Sequence, residues 1–365
     1  MRGTKSFQQE SMFSYISLED AIPRDHGIRR IKTYVDDVLE QMSGDFAEIY
    51  SATGRPSIPP EQLLKALLIQ VLFTVRSERQ LIEQLNYNLL FRWFVGLGMS
   101  GKVWDRTSFS KNRARLIDGA IADRFFALVV QLADRKGLIS KEHFSVDGTL
   151  LEAWASLKSF QKKADDESSD DDNSDAGSGR NSDVNFKGEK RSNETHESAV
   201  DSEARLFTKS RGQSARLSFM GHVLMENRNG LAVDARLSQA SGRAETDAAF
   251  EMASVLRPGA TIGADKGYDR DGHTENLRQI NIKSHAAQNL HARRHSSALD
   301  CRTTRHEGYQ VSQRKRKRIE EIFGWLKTIG LLRRPMYRGK RRLDWVFSFA
   351  LSAYNLIRIR NLCAQ

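Results

Sequence analysis

A chain of 365 residues fits one large domain or two to three ordinary ones. Lys and Arg number 57 against 46 Asp and Glu, a net charge of +11, and the 39% of hydrophobic residues is enough for a packed core, which excludes a chain disordered throughout. No apolar run reaches the ~18 residues of a bilayer span, no secretory h-region opens the sequence, and two cysteines, Cys301 and Cys363, exclude a disulfide framework or a paired-cysteine zinc site. The expectation is a soluble, cytoplasmic protein of a reducing compartment, with no membrane role and enough positive charge to make nucleic acid a partner.

In chain order, Gly54, Pro56, Pro59 and Pro60 mark a loop. Leu63, Leu64, Leu67, Leu68, Val71, Leu72 and Val75 then recur with a period near 3.6 and predict a helix. Ser77, with Gln80 three residues on, predicts a capping box opening a second helix through Leu90 or beyond. Thr107–Leu116 and Ile121–Arg135 read as two more. An all-helical domain over residues 1–138 follows. The period then changes. His143–Leu150 alternates as a strand does. Leu217, Phe219, Val223 and Met225 alternate again, Asn229-Gly230 is a strong hairpin signal, and Leu231–Leu237 returns. Ala244–Leu256 reads as a helix, Thr261–Asp265 and Ile280–His285 as short strands, and Ser312–Ile329 and Trp345–Ile359 as helices. Residues 139–360 therefore read as an α/β or α+β domain.

Charge is unevenly placed. Asp165–Asp183 holds eight acids, one Arg and five Ser, too little apolar surface to offset its ordering entropy. Residues 158–212 are expected to be a flexible, disordered acidic insertion, suited to docking on basic surface in competition with DNA. From Val311 to Arg342 there are twelve basic residues and two acidic ones. Arg314, Lys315, Arg316, Lys317 and Arg318 open this block; Lys327, Arg333 and Arg334 follow. Such a block binds phosphate backbones by releasing counterions. Trp325 projects from the apolar stripe of its helix and is expected to meet DNA or a second protomer. Arg76, Arg79, Lys111, Arg113 and Arg115 decorate the N-terminal helices as DNA contacts or as ordinary surface charge. His291, His295, Cys301 and His306 give only a weak zinc pattern.

Three carboxylates carry chemistry. Asp147 ends an alternating strand and is followed by Gly148, and Asp265 ends a later strand. Glu320 lies at the edge of the stripe Ile319, Ile322, Phe323, Leu326 and Ile329, with Arg316 one turn before it, Gly324 one turn after and Lys327 two turns after; Glu321 falls on the far side. A routine Arg316–Glu320 helix pair, worth a few tenths of a kcal/mol, fits the spacing equally well. Oxygen ligands of this kind suit Mg²⁺ or Mn²⁺. Two ions held by carboxylates from separate elements can serve an in-line phosphoryl transfer.

The stretches HFSVDGTLLEAWAS, GADKGYD and RKRIEEIFGWLK resemble the three acidic motifs of bacterial insertion-sequence DDE transposases, above all the group named after insertion sequence five. GRPSIPPEQLLKALLIQVLFTVRSERQL and YNLLFRWFVGLG resemble that group's helical N-terminal domain, and RLSFMGHVLMENRNGLAVDARLSQASGRAE its central hairpin. The family signature R-x3-E-x6-K falls on Arg316, Glu320 and Lys327, and the first two acids fall on Asp147 and Asp265. Where the wider family has Tyr three residues before the Arg, this chain has Gln313. The resemblance implies an RNase H-like catalytic domain, binding to terminal inverted repeats, strand cleavage and transfer of 3′-OH ends into target DNA. Double-stranded DNA is the expected partner, and a homodimer or larger assembly the expected state. A metal-dependent endonuclease without strand transfer and an inactive DNA-binding repressor are the rival readings.

Overall fold

The computed structural model describes residues 17–50, 57–163, 191–208, 214–289 and 297–364. Helices come first: α1 (Leu18–Ala21), α2 (Ile28–Gln41), α3 (Ser43–Ile49), α4 (Pro60–Leu72), α5 (Glu78–Tyr87), α6 (Leu89–Val95), α7 (Arg106–Asp118) and α8 (Ile121–Arg135). The capping reading holds, since Gln80 N donates to Ser77 Oγ at 3.2 Å. The helix expected to run on through Leu90 instead breaks at Asn88. That side chain accepts from Phe91 N at 3.2 Å and so caps a new helix, α6. An Asn in an extended conformation competes with helix continuation in this way.

Strands β1 (His143–Glu152), β2 (Phe160–Lys162), β3 (His196–Ser198), β4 (Arg205–Phe207), β5 (Arg216–Glu226) and β6 (Ala232–Gln239) follow, then α9 (Ala244–Ala253), β7 (Thr261–Ala264), α10 (Asp271–Gln279) and β8 (Lys283–Ala286). The chain ends with α11 (Cys301–Arg305), α12 (Glu307–Lys315), α13 (Ile319–Thr328) and α14 (Lys340–Leu362). The helix expected over Ser312–Ile329 is divided by a 3₁₀ turn at Arg316–Arg318, and the last helix starts five residues earlier than its apolar pattern.

β6, β5 and β1 run antiparallel in sequence, and β7 and β8 continue the sheet parallel to β1. β4 also pairs with β5, along Arg216–Ser218. Three antiparallel strands followed by two parallel ones, with helices on both faces, make an RNase H-like α/β sheet. Within 158–212, expected to be flexible, β2 pairs with β3, and Phe160, His196, Ser198 and Ala204 are buried. The flanks of that segment therefore fold. Asp165–Asp183, like His291 and His295, lie outside the described residues.

The register of β1 against β5 sets Asp147 opposite Val223 and Gly148 opposite His222. Since side chains alternate across a strand, Asp147, Thr149 and Leu151 share one face with Val223 and Phe219; Phe144, Val146 and Gly148 share the other with Leu224. The first face joins one apolar core with α2–α8, α13 and α14; the second packs on α9, α10 and Tyr268. α14 is the bridge. Its Trp345 Nε1 donates to Leu116 O on α7 at 3.2 Å, and its Asn355 amide exchanges bonds with Ala232 N (3.0 Å) and O (2.8 Å) on β6. Phe347 lies flat on the sheet because β5 has glycine beneath it. A Cβ at Gly221 would sit 2.8 Å from the Phe347 ring.

Candidate active site

Asp147 is held in mid-sheet. Its strand is anchored one turn of the pleat earlier, where Ser145 Oγ donates to Asn227 Oδ1 at 2.7 Å and Asn227 Nδ2 donates to Phe144 O at 3.0 Å. The register of β1 against β7, Ser145 opposite Gly263, carries the same face from Asp147 to Asp265. Asp265 follows β7 directly, and its Oδ1 accepts from Gly267 N at 2.6 Å, which fixes the carboxylate over the turn. Both aspartates are half-buried. On this face α12 and α13 approach: Ser312 O and Arg316 Cβ lie 3.5 Å from the position a Cβ would take on Gly263. Thus the sheet brings Asp147 and Asp265 together on the side where the basic helices pack.

Glu320 stands exposed in the first turn of α13, a helix that packs against β1. The surface pair with Arg316 does not form: Arg316 Nε instead donates to Gln313 Oε1 at 2.8 Å, and Gln313 Nε2 donates to His285 O at 2.5 Å. Glu321 faces the other way, 3.9 Å from Arg358 on α14. Helix geometry thus gives Glu321 an ordinary structural partner and leaves Glu320 on another side of α13.

The expected phosphate-binding residues divide. Arg314, Lys315 and Lys317 are exposed, whereas Arg318 turns to the hairpin and donates to Arg228 O at 3.2 Å. Lys327 and the exposed Arg333 line one hollow of about 660 Å³ beside the end of β1, and Arg334 lines another. Trp325 does not project wholly free: it is half-buried and packs edge-on against Tyr354 at 5.7 Å, beside the core. The stripe of its own helix could not show this, because the surface covering Trp325 belongs to α14.

One group escaped the sequence reading. Glu245, in the first turn of α9, comes from the opposite sheet face and fills the space beside Gly148; a Cβ there would lie 2.9 Å from Glu245 Oε1 and 3.0 Å from its Cγ. Its Oε2 lies 3.9 Å from the matching position on Gly267. Beneath them Tyr268 is 1% exposed, and its hydroxyl has no hydrogen-bond partner. Burial, then the charges of Glu245, Asp147 and Asp265, push that hydroxyl well above the ordinary tyrosine range. The signal in sequence was weak: an acid at a helix start is routine. Gly148→Val should displace Glu245 and shift the Asp147 backbone, cutting DNA cleavage by up to ~10²-fold. Parallel cleavage and end-binding assays check it, and full activity would show that the close approach is dispensable.

Among the described residues no three His, Cys, Asp or Glu side chains form a ready-made cation cage. Two aspartates on one face, an orphaned hydroxyl behind them and an acid on the adjoining helix are hard oxygen donors. They fit a hard divalent cation that keeps several waters and takes substrate phosphate rather than a full protein cage.

His222 is fully buried beside this site, and its Nε2 lies 2.8 Å from Ser238 Oγ. Burial lowers its pKa to about 4, which fits a packed neutral imidazole. Burial does the same to His273 and His285. These groups take up protons in the unfolded chain near pH 6.5 but in the folded one only near pH 4, so stability falls as pH drops across that window. Asp344, raised to about 6 by burial, opposes them with one proton. Urea unfolding at pH 7, 6 and 5 should show the net loss, and His222→Gln should remove about one proton from the slope. An unchanged slope would contradict the neutral assignment.

Two family models match the chain. Residues 16–115 match the family described as Transposase domain (DUF772), and residues 185–356 match the Transposase DDE domain. The second match contains Asp265 and Glu320, while Asp147 precedes it. None of the curated proteins matches the chain. Among solved structures, the piggyBac transposase synaptic complex with hairpin DNA is similar at TM-score 0.42 and 9% identity, covering 93% of this chain and 74% of that one. The Mos1 transposase paired-end complex with left transposon end reaches TM-score 0.20 at 10% identity, over 87% and 84%. Both likenesses are too low to bear on the reading. Among the described residues no helix is long and apolar enough to cross a membrane. The chain thus carries a transposase DDE domain behind a second domain found in transposases.

Proposed function

We propose that this protein is the transposase of an insertion sequence in the group named after insertion sequence five. In this reading it binds the terminal inverted repeats, cuts at the element ends and joins the freed 3′-OH ends to target DNA. The observation that carries the reading is the shared sheet face of Asp147 and Asp265, turned toward the basic helices that hold Glu320. Asp147, Asp265 and Glu320 are the residues proposed to hold two Mg²⁺ ions, with Mn²⁺ as a substitute. When bound, such ions activate an attacking oxygen and offset charge on the leaving one.

The chain's own residues do the rest. Exposed Arg314, Lys315 and Lys317 hold phosphates along one side of α13. Lys327, Arg333 and Arg334 hold them along the other. Arg316, braced by Gln313, is a shorter-range contact beside Asp265. Residues 1–138 are proposed to bind the element ends and support assembly, residues 139–360 to form the catalytic domain, and two or more copies to act together on paired ends.

Strand transfer tests the reading. With Mg²⁺, pre-cut end DNA and a supercoiled target, joined product is expected. Cutting of uncut ends without joining of pre-cut ones would make the protein an endonuclease. Binding without either reaction would make it a repressor.

A further inference from the structure

A second basic hollow lies away from the three carboxylates, between the N-terminal helices and the turn after α13. Its volume is about 780 Å³. The start of α5 and the face of α7 form one wall, and residues 330–337 the other; Trp154, just beyond β1, closes one end. Six basic side chains line it against one acid, Glu78, which is already ion-paired to Arg113. The unbalanced charge is therefore positive. Arg76, Arg106, Lys111 and Arg334 are exposed.

The walls are not only charged. Trp154 is 37% exposed, with the Arg334 guanidinium 5.1 Å from its ring centre. Tyr337 carries Arg113 in the same way at 5.3 Å. Met336 beside them is 57% exposed. A solvated charged surface has no need of aromatic faces between its cations. Cations that follow a backbone, set between flat rings, form the stacking platform on which unpaired nucleic-acid strands lie. A duplex keeps its bases stacked inside and would meet only the rim. A base taken out of its stack could enter the hollow.

The hollow neighbours the cavity of Lys327 and Arg333 rather than the carboxylates themselves. Arg333 lines the neighbouring cavity with Lys327, and Glu152 in that cavity lies two residues before Trp154. β1 thus runs from Asp147 to the mouth of the hollow.

We propose that this groove holds an unpaired segment of DNA strand further along β1 from the cleavage site, its phosphates on Arg76, Arg106, Lys111 and Arg334 and a base stacked on Trp154. The inference rests on the transposase reading and adds where, and in which form, the DNA is held.

Fluorescence polarisation of the full chain tests it, with three end-sequence probes: a blunt duplex, the same duplex with a short unpaired 3′ strand, and a single strand. The unpaired-end probe should bind more tightly than the blunt one. Arg106→Ala with Lys111→Ala should cancel that preference and lower the salt slope by about 1.4, near 0.7 for each lost phosphate contact on a single strand. Trp154→Ala should weaken the unpaired-end probe roughly 5- to 150-fold, the equivalent of 1–3 kcal/mol for one stacked base. Trp154→Phe should restore most of it. A 2-aminopurine in the unpaired segment should be quenched by the parent and not by Trp154→Ala. Equal binding of blunt and unpaired probes by the parent, or an equal loss on both in the variants, would overturn the groove assignment and leave the transposase reading standing. Failure of the parent to bind any of the probes would overturn both.

Discussion

Asp147→Asn, Asp265→Asn and Glu320→Gln are each expected to abolish cleavage of element-end DNA while end binding persists. Each change removes a formal charge and keeps the side chain's shape, so loss of activity with retained binding separates chemistry from folding. Carboxylates that hold divalent cations supply several kcal/mol of transition-state stabilisation. A loss on the order of 10³-fold or more follows from about 4 kcal/mol. Glu321→Gln, one residue along the same helix, should keep activity near the parent's, because Glu321 faces Arg358 across the surface of α14. Reversed outcomes for Glu320 and Glu321 would move the third acid to the other side of α13. Substantial cleavage by either aspartate variant would remove that residue from the site.

The second large effect is on stability. Phe347 is fully buried and lies against Gly221 in the middle of β5. Phe347→Ala opens a cavity between α14 and the sheet and should cost about 3–5 kcal/mol, read as a lower urea midpoint. One apolar core joins the N-terminal helices to the sheet through α14. Helix content followed by far-UV circular dichroism and tertiary packing followed by tryptophan fluorescence should therefore fall together, and shift together in the variant. Two separate transitions would mean that the helices keep their fold when the sheet has lost its own. A midpoint unchanged in Phe347→Ala would show that the neighbours close over the gap.

Much of the fold is written in local periodicity. α8 runs over the residues its apolar pattern outlines, Ile121–Arg135, and the hairpin turns at Asn229-Gly230. Ser77 caps α5 as its spacing to Gln80 indicates. Such signals survive because helix and strand geometry is set by residues within a few positions of each other. Asp265 could be singled out from its strand end and Glu320 from the line it shares with Arg316 and Lys327; Asp147 stood out as an acid before a glycine, although β1 runs on through it to Glu152.

What the tertiary structure alone decided is which groups meet. Glu245 reaches Gly148 across about a hundred residues of chain, because α9 is laid over the sheet face opposite Asp147. Trp325, exposed by the pattern of its own helix, is half-buried against Tyr354 of another. The ends of the acidic segment fold because β4 finds an edge on β5, a partner no local count could supply. The second basic hollow joins side chains near positions 76, 106, 154 and 334, each unremarkable where it stands in the sequence. Periodicity fixes the direction of a side chain from its own element, whereas its neighbours depend on long-range packing, and chemistry at a site depends on neighbours.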